Sequence, residues 1–487
     1  MVKQVARMIP EGVTAFLPSI RWGVAALILL GSITAWTLLS GAFIYGEGHT
    51  ERPIILFVAS YLVAWTGYAM GLLLVRAGTV IRLRFILAVA VLARIILLPS
   101  GLIQENDVYR YVLDGQVMLH GENPYEHPPS QIREEGSPAL QASLRGVVAQ
   151  VALGRIGYPE IPTVYPPAAQ VVYALGAMVG GWDWQGQRWV FLVIDLLVIL
   201  LLLLLLRALS LPRAWILFYA WNPLILKEIA NSCHVDILVG LFIVGSLVCL
   251  ERFKRTSRAL LLVPAGGLLG LAALSKLYPL LLLPGTLLWL GRSRVRWPVL
   301  VGFCFLVVVV FVTGFLPFLG IGLERLTAGV TTYADRWIMN EGVFALVARF
   351  IPHPRPAVTI LIGILAVLIP LVRGGGTVLD LGIDYLWILL VWFLLIPTPF
   401  PWYAIPLICL GTLVASRAEG FPVALLSGSF GLYYLSFFYE YNNFVSIWWN
   451  WTRAIEHGIV WVAIVSAAAA SVVKKRRRGN VDILSSQ

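Results

Sequence analysis

The chain has 487 residues, of which 59% are hydrophobic and 13% charged, with a mean hydropathy of +0.85. That excludes a soluble globular protein, which needs far more charge to cover its surface. The formal charge of +11 does not signal a nucleic-acid partner, because the basic residues are scattered among short connecting segments. Cys233, Cys249, Cys304 and Cys409 are far apart with no CxxC or CxxH spacing, which argues against a zinc site and a disulfide framework alike.

In chain order, apolar runs near the length needed to cross about 30 Å of hydrocarbon recur from end to end. They predict spans over 22–45, 54–75, 85–103, 187–206, 214–230, 236–250, 259–275, 278–290, 298–318, 356–372, 381–397, 402–416, 421–438 and 457–473. The first run lacks a small-residue cleavage site and reads as a span rather than a cleavable signal. The pieces 278–290 and 402–416 are short enough to be half-helices. The expected fold is therefore an all-α polytopic membrane protein of about 12–14 transmembrane helices, with one large loop over 104–186.

Orientation follows from Lys and Arg. Of the 36 basic residues, 22 lie in one alternating set of segments, from Lys3, Arg7 and Arg21 to the tail Lys474–Arg478. By the positive-inside rule those segments and both termini are cytoplasmic. The opposite set holds the 104–186 loop, the turns 227–236, 275–278 and 397–403, and the loops 319–355 and 439–453. It carries most of the Asp, Glu and His. The apolar stretch 165–180 is predicted to lie in the interface or re-enter, since a crossing would put Arg207–Arg213 on the wrong side.

The outer segments contain the residues suited to chemistry. In Glu105-Asn106-Asp107-Val108-Tyr109-Arg110-Tyr111-Val112-Leu113-Asp114-Gly115, Asp107 and Asp114 are seven apart and share one helical face. Asp107 directly follows a span, where a carboxylate meets both headgroups and water and suits general-base work; helix capping and pairing with Arg110 is the plainer alternative. Asn123-Pro124 signals a turn before Tyr125. Lys276 lies between two apolar runs, a costly place for an ammonium unless it meets an anion or snorkels. His234 and Asp236 stand two apart at a helix entrance, where they could bind phosphate or a hydroxyl, or cap the helix; no complete metal-ligand set is visible. Lys227-Glu228 reads equally as an ion pair. Asp195, inside an apolar span, reads as structural. Trp182, Trp184, Tyr333, Trp337, Trp402, Tyr403, Tyr439, Tyr441, Trp448, Trp449 and Trp451 suit sugar stacking or an interfacial belt.

The string DVYRYVLDGQVMLHGENPY resembles the first outer loop of GT-C glycosyltransferases, in particular the bacterial polyprenyl-phosphate-mannose-dependent α-mannosyltransferase branch. Ordered agreement continues through Tyr165-Pro166-Pro167, Trp221-Asn222-Pro223-Leu224, Asn231-Ser232-Cys233-His234-Val235-Asp236, Leu274-Ser275-Lys276-Leu277-Tyr278-Pro279 and Pro399-Phe400-Pro401-Trp402-Tyr403. The resemblance implies a catalytic module over 85–455, with N-terminal helices in 1–84 and a last helix and basic tail in 456–487. Two extra spans, 22–45 and 54–75, come before the one that leads into the loop here, whereas that family often places the loop after the first helix. The resemblance further implies a bacterial plasma-membrane enzyme with Asp107 as base, a polyprenyl-phosphate sugar donor, and a glycan or glycolipid acceptor among membrane lipids.

Substrate contacts are expected from Tyr109, Arg110, Asp114, Asn123, Tyr125 and Tyr165, and from Lys227, His234, Asp236, Lys276, Tyr278, Arg336, Trp402 and Tyr403. No cofactor is expected; a divalent cation is compatible with these residues but not indicated by them. A transporter or flippase for a lipid-linked saccharide should place polar groups near the midplane, often in repeated halves, and neither is visible. A polysaccharide polymerase or ligase would share the outward site. Walker, Rossmann, nucleophile-elbow and zinc-protease motifs are absent.

Overall fold

The computed structural model describes the backbone of residues 11–44, 54–436 and 447–485, with side chains placed for 19–44, 54–436 and 450–469. Lys3, Arg7, Tyr439 and Tyr441, and the side chains of Trp448, Trp449 and Lys474–Arg478, lie outside the described residues. The chain is an all-helical polytopic membrane protein, with no strand among the described residues. Helices follow from the apolar runs, because lipid offers backbone N–H and C=O groups no partner outside the chain. The longer helices are α1 (Glu11–Leu39), α2 (Ile54–Arg76), α3 (Leu83–Leu97), α4 (Asp107–Leu119), α5 (Pro167–Gly180), α6 (Gln185–Ala208), α7 (Asp236–Thr256) and α8 (Leu262–Ser275). They continue as α9 (Leu283–Arg292), α10 (Trp297–Phe315), α11 (Leu323–Arg336), α12 (Pro354–Arg373), α13 (Val378–Leu395), α14 (Ile405–Val414), α15 (Gly420–Ser429) and α16 (Ile447–Ser485).

Fewer spans than expected are long, unbroken helices. Among the described residues six helices are long and apolar enough to cross alone, and a seventh crossing is the pair Pro223–Asn231 and Asp236–Thr256, bent by 114°. Proline explains most of the shortfall, since it removes a donor and clashes with the preceding turn. Pro279 interrupts 278–290, leaving the 3-10 turn Tyr278–Leu282 before α9; Pro401 opens the 3-10 turn Pro401–Ala404 ahead of α14, and Pro406 sits in the first turn of α14. Every residue of α14 is buried, which is where interrupted helices are tolerated at membrane depth. At 14 residues α5 is about 21 Å long, too short to cross; it packs between α4 and α6. Gly115 permits that packing, because a Cβ there would lie 2.3 Å from the Tyr173 carbonyl oxygen.

Two breaks position the site. Helix α3 stops at Leu97, short of the expected 103, ahead of Pro99. The freed backbone is caught from two sides: Arg188 donates to the carbonyls of Leu98 and Ser100 at 2.7 and 2.8 Å. Asn231 accepts from the Ile103 amide at 2.9 Å and donates to the Gly101 carbonyl at 2.8 Å. Arg188 also donates to the Asn231 carbonyl at 3.1 Å, closing the clamp. The second break is the predicted span 214–230. There Asn222 caps Pro223–Ile225, a π-helical turn runs from Leu226 to Asn231, and Cys233 takes a left-handed φ of 62° before α7 begins.

Contacts run within each of the two loop sets that charge assigns to opposite faces. On one side Glu105 meets His234, Lys276 meets Asp236, and the Met339 amide donates to the Pro397 carbonyl. On the other, Arg292 donates to the Pro370 carbonyl and Lys254 to Ser293.

Asp195 is structural. Arg94 Nε and Nη2 grip its two oxygens, and Tyr219 donates to it at 2.7 Å. Arg94 Nη1 is spent on the carbonyls of Ala90 and Ala220. Removing one partner strands a buried charge, so Arg94→Met is expected to destabilise the fold by about 3–5 kcal/mol. Adding Asp195→Leu should recover much of that loss in a micelle denaturation assay. Strictly additive losses would show that the pair is not coupled.

Candidate functional site

Helix α4 begins at Asp107 because the Glu105 carboxylate accepts its amide N–H at 2.5 Å and so satisfies one orphan donor of the first turn. The Asp107 carboxyl then faces Tyr165, whose hydroxyl donates to it at 3.2 Å. Burial, reinforced by the neighbouring Glu105, raises the Asp107 carboxyl to about 6, while His234, Lys276 and the Tyr165 hydrogen bond hold it down.

The expected common face of Asp107 and Asp114 is real, but the two carboxylates do different work. The segment Thr163–Tyr165 runs alongside α4. Tyr165 reaches Asp107, and Thr163 donates to Asp114 at 2.5 Å with Gln170 adding 3.1 Å. Arg110 spends its guanidinium on the carbonyls of Ile161 and Tyr158 at 2.8 and 3.1 Å. Tyr125 donates to the Tyr165 carbonyl at 2.8 Å, and Asn123 accepts from the Tyr125 amide while donating to the Phe318 carbonyl. Tyr109 turns toward Arg155, 5.9 Å from its ring. Arg110, Asp114, Asn123 and Tyr125 therefore brace the wall that presents Tyr165, one layer behind Asp107.

The break before α7 supplies the opposite wall. His234 Nε2 lies 2.7 Å from Glu105 Oε2 and 3.0 Å from Glu228 Oε2. Its ring stacks on Trp402 with centroids 4.2 Å apart and planes within 9°. Lys276 Nζ is 3.6 Å from Asp236 and lies over the rings of Tyr165 and Tyr403 at 5.2 and 4.9 Å. The ammonium is thus held in a partly exposed position by one carboxylate and two aromatic faces. Tyr278 stacks on Trp392 at 3.9 Å, and the Tyr403 and Tyr333 hydroxyls are 2.8 Å apart. Lys227 sits a layer deeper, 3.3 Å from Glu228 and over the Tyr434 ring.

Asp107, Tyr165, His234, Asp236, Lys276, Tyr278, Trp402 and Tyr403 come together around one recess. Asp107, Lys276, Tyr278, Trp402 and Tyr403 are half-buried at its mouth, with Glu105, Glu228, His234 and Asp236 fully buried behind. Arg336, exposed at the C-terminal end of α11, is not in this cluster. Among the other aromatics Trp337 stacks on Tyr333, Trp184 covers Arg188, and Trp451 is exposed.

Three residues of the recess were not expected there. Glu105 stands two positions before Asp107, a carboxylate pair the spacing could have flagged. Glu228 read only as a partner for Lys227. Trp392 lies within an apolar helix and gives no signal of its role.

The model of glycosyltransferase family 87 matches residues 163–398, which supports a glycosyltransferase of the GT-C membrane type. The matched stretch contains Tyr165, His234, Asp236, Lys276 and Tyr278, and begins after Asp107. Neither a curated protein nor a solved structure matches the chain.

The Asp107 carboxyl is expected to titrate near pH 6 when followed by difference infrared spectroscopy against Asp107→Asn. Tyr165→Phe removes a hydrogen bond that favours the carboxylate, so it should move the midpoint further up. A midpoint near 4 in the unaltered protein would place Asp107 in an open, solvated setting instead.

Proposed function

We propose that the chain transfers a sugar, mannose first among the choices, from a polyprenyl-phosphate donor to a lipid-linked or glycan acceptor at the non-cytoplasmic face. The observation that carries this reading is the placement of Asp107. It is a half-buried carboxylate at the start of a short helix outside the long spans, facing a recess that also holds Lys276 and His234.

The reaction such a recess favours is direct displacement. The acceptor hydroxyl gives its proton to the Asp107 carboxylate as its oxygen bonds to the anomeric carbon. The bond from that carbon to the donor phosphate oxygen breaks, and the electron pair leaves with the phosphate. A single displacement of this kind inverts the anomeric centre. A carboxyl raised toward neutrality accepts a proton more readily than an ordinary aspartate yet remains ionised in most molecules at pH 7. Lys276 is the cation best placed for the departing phosphate, since its hold on Asp236 at 3.6 Å is loose enough to be shared.

The aromatic wall of Tyr278, Trp392, Tyr403 and Tyr333 offers faces for a pyranose ring. The positive-inside bias, which assigns the termini and basic loops to the cytoplasm, supports an outward recess that meets a lipid-borne donor rather than cytoplasmic nucleotide sugars.

With labelled polyprenyl-phosphate mannose, purified protein in lipid and a membrane glycolipid extract as acceptor, Asp107→Asn should lower turnover about 10²–10⁴-fold. Donor binding should survive. Near-normal turnover by that variant would remove Asp107 as the base, and donor crossing the bilayer intact would favour a transporter. A cysteine at Gly121, where nothing lies within 4 Å of an added Cβ although the left-handed φ of 75° strains any side chain, should react with an impermeant thiol reagent added outside intact cells. Protection there, with labelling only after lysis, would place the recess inside.

A further inference from the structure

Behind Asp107, two carboxylates from distant segments converge on one imidazole nitrogen. Glu105, Glu228 and His234 are all buried, and their ligand atoms lie within 4.8 Å of one another. Each carboxylate is held by its other oxygen: Glu105 Oε1 accepts the Asp107 amide, and Glu228 Oε1 accepts the Tyr434 hydroxyl. The two Oε2 atoms are thereby turned to the His234 ring, whose plane is set by its stack on Trp402, with Lys227 Nζ 3.3 Å from Glu228 Oε2 on its other side. A single ring N–H cannot point at both. Here neither His234 nitrogen meets an acceptor in hydrogen-bonding geometry, although Nε2 is 2.7 and 3.0 Å from the two oxygens.

We propose that Glu105, Glu228 and His234 form a binding site for a divalent cation, Mn²⁺ or Zn²⁺. The separations fit. Oxygen and nitrogen ligands stand about 2.0–2.2 Å from such ions, and adjacent corners of an octahedron of that radius are about 3 Å apart, as His234 Nε2 is from each of the two oxygens. Mixed carboxylate and imidazole donors suit Mn²⁺ or Zn²⁺ better than Ca²⁺. The outer shell fits as well, since a donor orients the free oxygen of each carboxylate. Formal charge is consistent with His234 neutral, as a metal ligand must be: Glu105, Asp107, Glu228 and Asp236 line the recess, and Lys227 and Lys276 offset two of the four negative charges. A divalent ion offsets the other two. The inference concerns binding and stands apart from sugar transfer; only the role of the ion, as added positive charge for a departing phosphate, rests on that reading.

The test uses the tag-free full-length protein in nanodiscs, stripped with chelator and dialysed against Mn²⁺ or Zn²⁺ in turn. Metal content is read by mass spectrometry, with no sugar donor present. About one ion per chain is expected for the unaltered protein, with its loss in His234→Gln and in Glu228→Gln. His127→Ala should keep it, which separates this site from the partly exposed pairing of His127 with Glu126 and Glu135. In case a variant misfolds, pulsed electron paramagnetic resonance of Mn²⁺ on the unaltered protein should show coupling to an imidazole nitrogen. Retention no greater than in protein-free nanodiscs, or retention lost with His127→Ala but kept with His234→Gln, would overturn the site. It would leave the transfer reading standing, and failed transfer by a protein that holds the ion would do the reverse.

Discussion

The recess depends on the clamp that Arg188 and Asn231 place on the segment Ser100–Ile103. A buried guanidinium must find acceptors, and Arg188 finds them in carbonyls freed where α3 ends early at Pro99. Asn231 supplies the complementary donor and acceptor from the turn before α7. Each break therefore satisfies the polar groups exposed by the other. Joined in this way, the two breaks bring Glu105 and Asp107 against His234 and Asp236 without any direct bond between Asp107 and α7.

Around that clamp, α4 divides its labour by height. Its first turn presents Asp107 to the recess. One turn on, Arg110 ties down the 158–161 loop, and two turns on, Asp114 secures Thr163 and Gln170. Tyr165 is thus fixed by its neighbours before it touches Asp107, so the hydrogen bond it gives is preorganised rather than recruited. Lys276 is held differently: a loose contact to Asp236 and two aromatic faces keep a cation near the mouth while leaving most of its donor capacity unspent.

Much of this was legible in the sequence. A cost argument singled out Lys276, and position at a helix entrance singled out His234 and Asp236. The seven-residue spacing placed Asp107 and Asp114 on one face, yet spacing says nothing of what that face meets. So Arg110, Asp114, Asn123 and Tyr125 read as binding groups although their polar atoms are spent on carbonyls, amides and side chains of the wall. Helix count suffered for a related reason. Hydropathy measures the cost of leaving water, and Pro279, Pro401 and Pro406 change it little, while each removes a backbone donor. The roles of Trp392 and Glu228 were not legible because they exist only across contacts between distant segments.

Those distances also bear on how the protein is made. Glu105 and its stack of partners, His234 with Trp402 beneath it, span about 300 residues of chain. A ribosome adds some 5–20 residues per second, so the early carboxylates emerge tens of seconds before the indole that completes their enclosure. Until then Glu105 and Asp107 remain hydrated at the membrane surface. A chain stopped short of Pro401 would carry Glu105, Asp107, Glu228, His234, Asp236 and Lys276 but neither Trp402 nor Tyr403, so this side of the site closes late in insertion.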